Sequence, residues 1–369
     1  MKSNRPISRV KIPMTAMVAM LLAGLLSATT AYAGSSNPIT VIASTVPGNG
    51  DVNPYGIARV PVSAGSLVQG DLLISNFNSS ANLQGTGTTI VQISPGGNAS
   101  LFAQIDASTL PGACPGGVGL TTALAVLSSG WVIVGSLPTT DGTSATVQAG
   151  CLIVLDSGGN VVETFYGSLI NGPWDLAAYD QGSKATLFVT NVLNGTVAAG
   201  GNIVNEGTVV RVVLSIPYGS IPVLESIVTV GSGFSERTDP AALVIGPTGA
   251  GLSSDNKTLY VADSLNNRIA AIANPLTRSS SAGVGTTVSQ NGALDDPLGL
   301  AVGPNGNILT TNGNNGFMVE TTPSGSQIKK AVLDSSGSPP GAGALFGLLN
   351  VPGQGIYYVD DASNTLNLF

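Results

Sequence analysis

The chain has no histidine among its 369 residues. That absence excludes a histidine general base, a Ser-His-Asp or Cys-His nucleophile and any imidazole metal site. Charge is also scarce: 13 Lys and Arg stand against 20 Asp and Glu, so charged residues make up 9% of the chain and the net charge is −7. Nucleic acids and anionic membrane surfaces select basic patches, so neither is an expected partner. Aromatics are 5% and cysteines only two. Few charges beside 49 Gly and 22 Pro do not suit helices, which need strong helix formers. Disorder does not fit either, because 43% of the residues are hydrophobic. The composition predicts many short strands joined by turns.

The N-terminus reads as a targeting segment. Lys2, Arg5, Arg9 and Lys11 form a basic region, Met14 to Leu26 an apolar one, and Ala31-Tyr32-Ala33 an A-x-A cleavage site. The alternative is an uncleaved anchor, for which the apolar run is short of the ~20 residues of a span. The reading predicts a signal peptide over residues 1–33 and one exported domain over 34–369, periplasmic or extracellular, with no membrane span in the mature chain. In an oxidising compartment Cys114 and Cys151 are expected to pair; the alternative is two buried thiols.

The stretch "DPLGLAVGPNGNILTTN" (Asp296–Asn312) joins two apolar runs through a Pro-Asn-Gly turn and has relatives along the chain. They lie at Asn53–Asn76, Thr121–Ser136, Gly172–Asn191, Asp239–Asp263 and Leu345–Asp361. Six copies at a mean period of about 56 residues, each followed by a third and usually a fourth apolar run, predict an all-β six-bladed β-propeller with four-stranded antiparallel blades. The last copy stops at its third run, Thr365–Phe369, while "PITVIAST" (Pro38–Thr45) is unassigned. An N-terminal outer strand in the last blade would close the ring and protect both edges.

"LYVADSLNNRIAAI" (Leu259–Ile272), preceded by "DPAALVIGP", resembles an NHL repeat. "DPLGLAVGPNGNILTTNGNNGFMV" and "IYYVDDASNTLNLF" are weaker matches. The resemblance implies a propeller superfamily that holds both calcium-dependent gluconolactonases and strictosidine-synthase-like proteins on one side and NHL-type binding modules on the other.

One polar position ends the second run of every copy: Asn76, Ser136, Asn191, Asp263, Asn312 and Asp360, with Asn267 and Asn364 four residues on in two of them. A ring of such oxygens invites a metal-ligand reading. A device repeated in every blade is better read as turn chemistry, because Asn and Asp bond nearby backbone N–H groups. The adjacent pairs Asp295-Asp296 and Asp360-Asp361 are poor paired acids, since strand neighbours point to opposite faces. The sequons at Asn78, Asn98, Asn194 and Asn256 matter only in a host that glycosylates.

In the calcium-dependent lactonases the channel mouth resembles a cup of Glu, Asn and Asp. Aligned on the ruler stretch, the equivalent positions are Tyr55, Thr122, Trp174, Ala241, Leu298 and Phe346. None is a hard-cation ligand of that kind, and Asp175 is the nearest acid. No catalytic residue, metal ligand or cofactor is therefore assigned. Two readings of the apolar mouth stand. The side chains plug the channel, or Tyr55, Trp174, Asp175 and Phe346 rim a ligand pocket. Blades one to three also carry long, small and polar loops between their second and third strands, which fit a protein, peptide or carbohydrate partner. The sequence thus points to a binding scaffold, with a metal-dependent lactonase as the alternative.

Overall fold

The computed structural model describes Met1 and residues 38–369 except residue 241. The expected signal peptide lies outside the described residues. The strands from Thr40 to Leu368 form six antiparallel sheets, one per blade, and build a six-bladed β-propeller. Blade one is Val52–Arg59, Leu72–Asn78, Thr89–Ile93 and Ala99–Gln104, in that order from the axis outward. Blades two, three, four and five begin at Leu120–Val126, Pro173–Asp180, Pro247–Leu252 and Pro297–Val302. Blade six takes three strands from the C-terminus, Leu345–Val351, Gly355–Asp360 and Thr365–Leu368. Its outer strand is Thr40–Ser44, which pairs antiparallel with Thr365–Leu368. Among the described residues no helix is long and apolar enough to cross a membrane.

The repeated polar position holds one place in the register. Asn76, Ser136, Asn191, Asp263, Asn312 and Asp360 pair with Pro54, Leu120, Pro173, Pro247, Pro297 and Leu345. All six are buried, and their side chains bond to nearby connections or to neighbouring strands; Asn76 donates to the Thr45 carbonyl. Ser136 accepts the Gly119 N–H, Asp360 the Ser363 N–H, and Asn312 donates to the Ala293 carbonyl. Asp263 is ion-paired with buried Arg268 at 2.7 Å. The two trailing asparagines do more than turn the chain. Asn267 and Asn364 sit in the left-handed region, and their side-chain oxygens accept the N–H of Asp296 and Asn53, each 2.7 Å away at the entry to the next blade.

Blades are also tied near the axis. Ser75, Thr190 and Thr311 each donate to a carbonyl of the neighbouring inner strand, on Thr121, Thr248 and Phe346, at 2.7 Å. Such contacts demand close approach. A Cβ on Gly299 would stand 2.1 Å from the Phe346 carbonyl, and one on Gly347 would stand 2.3 Å from that of Tyr55. Real Cβ atoms do not approach so closely, which explains glycine at that step of the repeat.

The disulfide Cys114–Cys151 joins the connection between blades one and two to the third strand of blade two. Closing a separation of 37 residues stabilises the fold by roughly 3–4 kcal/mol in the chain-entropy model.

Candidate functional site

Inner strands start, and second strands end, at one face of the ring, the mouth face. There Tyr55 stacks on Phe346 with ring centroids 3.8 Å apart and on Phe77 at 4.4 Å, and Trp174 lies 6.0 Å from Tyr55. The structure therefore brings Tyr55, Trp174 and Phe346 together. It also buries them, each 2% exposed.

A hairpin covers the stack. The outer strand of blade three, Val223–Asp239, runs long, and its last residues, Arg237 to Asp239, pair with a fifth strand, Leu243–Ile245. Leu243, Val244 and Ile245 join one apolar cluster with Tyr55, Trp174, Leu298 and Phe346. The Trp174 indole N–H donates to the Val244 carbonyl at 2.9 Å. Leu243 adopts φ +64°, which is uncommon for a bulky residue. This hairpin corrects the alignment of blade four. Its inner strand is Pro247–Leu252, so the mouth residue is Thr248, and Ala241 lies outside the described residues. Thr248 is fully buried and bonded to the Pro297 carbonyl at 3.0 Å.

Asp175 does not join the rings. Its carboxylate accepts the N–H of Leu176 at 2.8 Å and that of Ala250, in blade four, at 2.9 Å. It lines a cavity of about 340 Å³ walled by all six inner strands toward their far ends. Burial pushes its carboxyl up to about 7, against the pull of those two N–H groups.

The acids nearest the mouth are others. Asp239 and Asp296 line a cavity of about 370 Å³ with Arg237, Asn267, Leu298 and Phe346. Arg237 is ion-paired with Asp239 at 2.9 Å. Asp296 Oδ1 is buried without a hydrogen-bond partner. Burial pushes the Asp296 carboxyl up to about 7, with Asp239 and Asp295 adding and Arg237 opposing. Burial also raises the Tyr55 phenol well above its usual value, and Asp361 and Asp239 add to the effect. The Asn53 side chain beside the hydroxyl opposes this rise, though the contact falls short of hydrogen-bond geometry, and Asn53 Oδ1 has no partner. Sequence reasoning missed this grouping. The available signal is the Asp-Pro pair that recurs at Asp239-Pro240 and Asp296-Pro297.

The long loops span residues 79–88, 137–150 and 192–203, against four-residue turns in blades four to six. They interlock above the plug. Thr139 N–H donates to the Gly85 carbonyl, and Gln84 donates to the Pro240 carbonyl of the hairpin. A groove of about 510 Å³ remains between the loops of blades two and three and the hairpin. It is lined by Ser144, Ala145, Val197, Gly200, Gly201, Arg237, Thr238 and Pro240.

Residues 229–338 match the family model described as SMP-30/Gluconolactonase/LRE-like region. The SMP-30/gluconolactonase/LRE-like match spans the end of blade three, the hairpin, and blades four and five. No curated protein matches the sequence. Among solved structures, a gluconolactonase of Xanthomonas campestris is 13% identical, with a TM-score of 0.52 over 88% of this chain and 87% of that one. A PQQ-bound aldose sugar dehydrogenase of Streptomyces coelicolor is 13% identical, with a TM-score of 0.51 over 90% and 98%. Regucalcin of Agrobacterium tumefaciens, described as a calcium-binding protein, is 11% identical, with a TM-score of 0.50 over 89% and 95%. At such identities the likeness is one of fold, and one fold hosts unrelated chemistries. A calcium cup of the gluconolactonase kind does not fit the residues here. Its positions hold Tyr55, Thr248, Leu298 and Phe346. Among the described residues, no group of three acidic, cysteine or histidine side chains is gathered.

Proposed function

We propose that this chain is an exported binding scaffold whose mouth face presents an interlocked set of polar loops to an uncharged partner: a carbohydrate, a peptide or a protein surface. The observation that carries the reading is the sealed mouth. Stacked rings and a hairpin fill the place where a lactonase would open its cup, while the long loops of blades two and three and the same hairpin frame a groove beside it. Small residues and hydroxyls line that groove, and its one cation, Arg237, is ion-paired with Asp239. Function on a rigid scaffold concentrates in such loops. The test is a glycan and peptide array probed with the disulfide-bonded mature chain, followed by a variant whose blade-two loop, residues 137–150, is replaced by a four-residue turn. Binding by the parent and its loss in a variant that still unfolds cooperatively supports the proposal. An array without hits, beside measurable turnover of lactones, ends it.

A second reading, hydrolysis of a lactone, is favoured by one observation. The buried carboxyl of Asp296 stands near Asp239 in a cavity adjoining the mouth, and its raised pKa suits a group that takes up a proton near neutrality. In this reading Asp296 is the base. Lactone hydrolysis lost in Asp296→Asn supports it, and hydrolysis unchanged by that substitution removes it.

A further inference from the structure

One buried carboxylate belongs to none of these sites. Glu236 lies on the long outer strand of blade three and is 0% exposed. Its Oε1 accepts the Asn194 N–H at 3.0 Å, and its Oε2 has no partner. Among the described residues the ion pairs engage Glu225, Asp239, Asp255 and Asp263, and no Lys or Arg reaches Glu236 or Glu206. The neighbouring charge has the same sign. Glu206 adds its repulsion to the effect of burial, and together they push the Glu236 carboxyl up to about 8. An uncompensated buried carboxylate is costly, and a second one beside it raises the cost.

The backbone explains how the two meet. Val204 is in register with Glu236 and Gly207 with Phe234, with shifts between them. The Glu206 carboxylate reaches the Gly195 backbone, where an added Cβ would lie 3.1 Å from its Oε2. Both carboxylates thus converge on the Asn194–Gly195 turn that opens the long loop of blade three. Asn194 Oδ1 accepts from the Asn171 amide, whose own Oδ1 is also buried without a partner. The neighbourhood holds two unpartnered acceptor oxygens, Glu236 Oε2 and Asn171 Oδ1, beside one unpartnered donor, Asn194 Nδ2, and its two carboxylates have no cation in reach. Glu206 is exposed, which leaves an entry from solvent.

We propose that Glu206 and Glu236, with a neutral oxygen from the Asn171–Asn194 amide pair, form a binding site for a hard divalent cation, calcium by preference, that fastens the blade-three loop to its sheet. Carboxylate and amide oxygens are the donors that hard cations take, and calcium tolerates irregular geometry that magnesium does not. The site is separate from the mouth and does not depend on which reading of the mouth holds.

Thermal unfolding of the chelator-treated mature chain, with and without calcium chloride, tests it. A millimolar site predicts a Tm rise of about 2 °C at 10 mM calcium and a smaller one with magnesium. Glu236→Gln and Glu206→Gln are each expected to abolish the calcium-dependent rise. Glu236→Gln removes a buried titratable group and so shifts the starting Tm, and the readout is therefore the difference that calcium makes. A parent chain without a calcium response means that Glu236 simply holds a proton, and the proposal falls. It falls equally if the response survives both substitutions, or if Asp296→Asn removes it and Glu236→Gln does not.

Discussion

Replacing Phe346 with alanine separates a plug from a pocket rim. Phe346 is 2% exposed, stacks on Tyr55 at 3.8 Å and belongs to the largest apolar cluster of the described residues. Truncating a ring packed on this scale costs about 3–5 kcal/mol, because the transfer energy is lost and a cavity is left that the barrel of inner strands cannot collapse to fill. The stack itself accounts for about 0.5–1.5 kcal/mol of that. With an unfolding entropy near 2.1 cal/mol/K per residue, the loss lowers Tm by about 4–7 °C for a domain of this size. Urea unfolding followed by circular dichroism gives the same quantity as a fall in the midpoint at unchanged slope. A ring on an open rim would cost no more than about 0.5 kcal/mol. A midpoint that does not move would therefore refute the plug and return Tyr55, Trp174 and Phe346 to the role of ligand contacts.

Reduction of Cys114–Cys151 is expected to lower stability by roughly 3–4 kcal/mol, read as a drop in the urea midpoint between oxidised and reduced samples. Asp296 ties stability to pH. Its carboxyl titrates near 3.8 when unfolded and is pushed up to about 7 when folded, so folding takes up a proton between those values. Its contribution is full below the unfolded pKa and is lost as pH rises toward about 7. Tm in a pH series from 4 to 8 should fall along that window, and Asp296→Asn should flatten the part due to this group. Tyr55→Phe deletes a buried hydroxyl without a partner and is expected to leave stability unchanged or raise it by up to about 1 kcal/mol, measured by the same urea titration.

The ring of blades was legible because its cues are local and recur. In each blade a Pro or Leu of the inner strand stands opposite a polar residue of the second strand at the mouth end, and a small residue lets neighbouring strands approach. Blade four shows where such cues become degenerate. "DPAALVIGP" imitates "DPLGLAVGP", yet its apolar run was spent on an added hairpin strand, and the inner strand starts at Pro247. The decisive contact is not local. A Cβ on Gly249 would lie 2.6 Å from the Leu298 carbonyl of the next blade, so only the Pro-Thr-Gly step fits against the axis there. Three-residue strands carry too little pattern to win that contest from sequence.

The site was less legible because its members are far apart in sequence and individually ordinary. Asp239 and Asp361 both act on the Tyr55 phenol, and Asp239 also acts on Asp296, yet nothing in a local window brings these residues near one another. A further signal exists only in the folded chain: some buried polar atoms there have no partner. Tyr55 Oη, Asp296 Oδ1 and Glu236 Oε2 all lie toward the mouth face, and each carries a desolvation cost that a phenylalanine, asparagine or glutamine would lessen. Violations of local economy in an otherwise consistent fold concentrate where a protein does its work. The far end of the channel makes the contrast. There Asp175, also buried, has each oxygen matched to a backbone N–H and locks blade three to blade four. If the proposed binding role holds, the mouth face, with its unmatched oxygens and its long loops, is the end of the molecule at which to seek it.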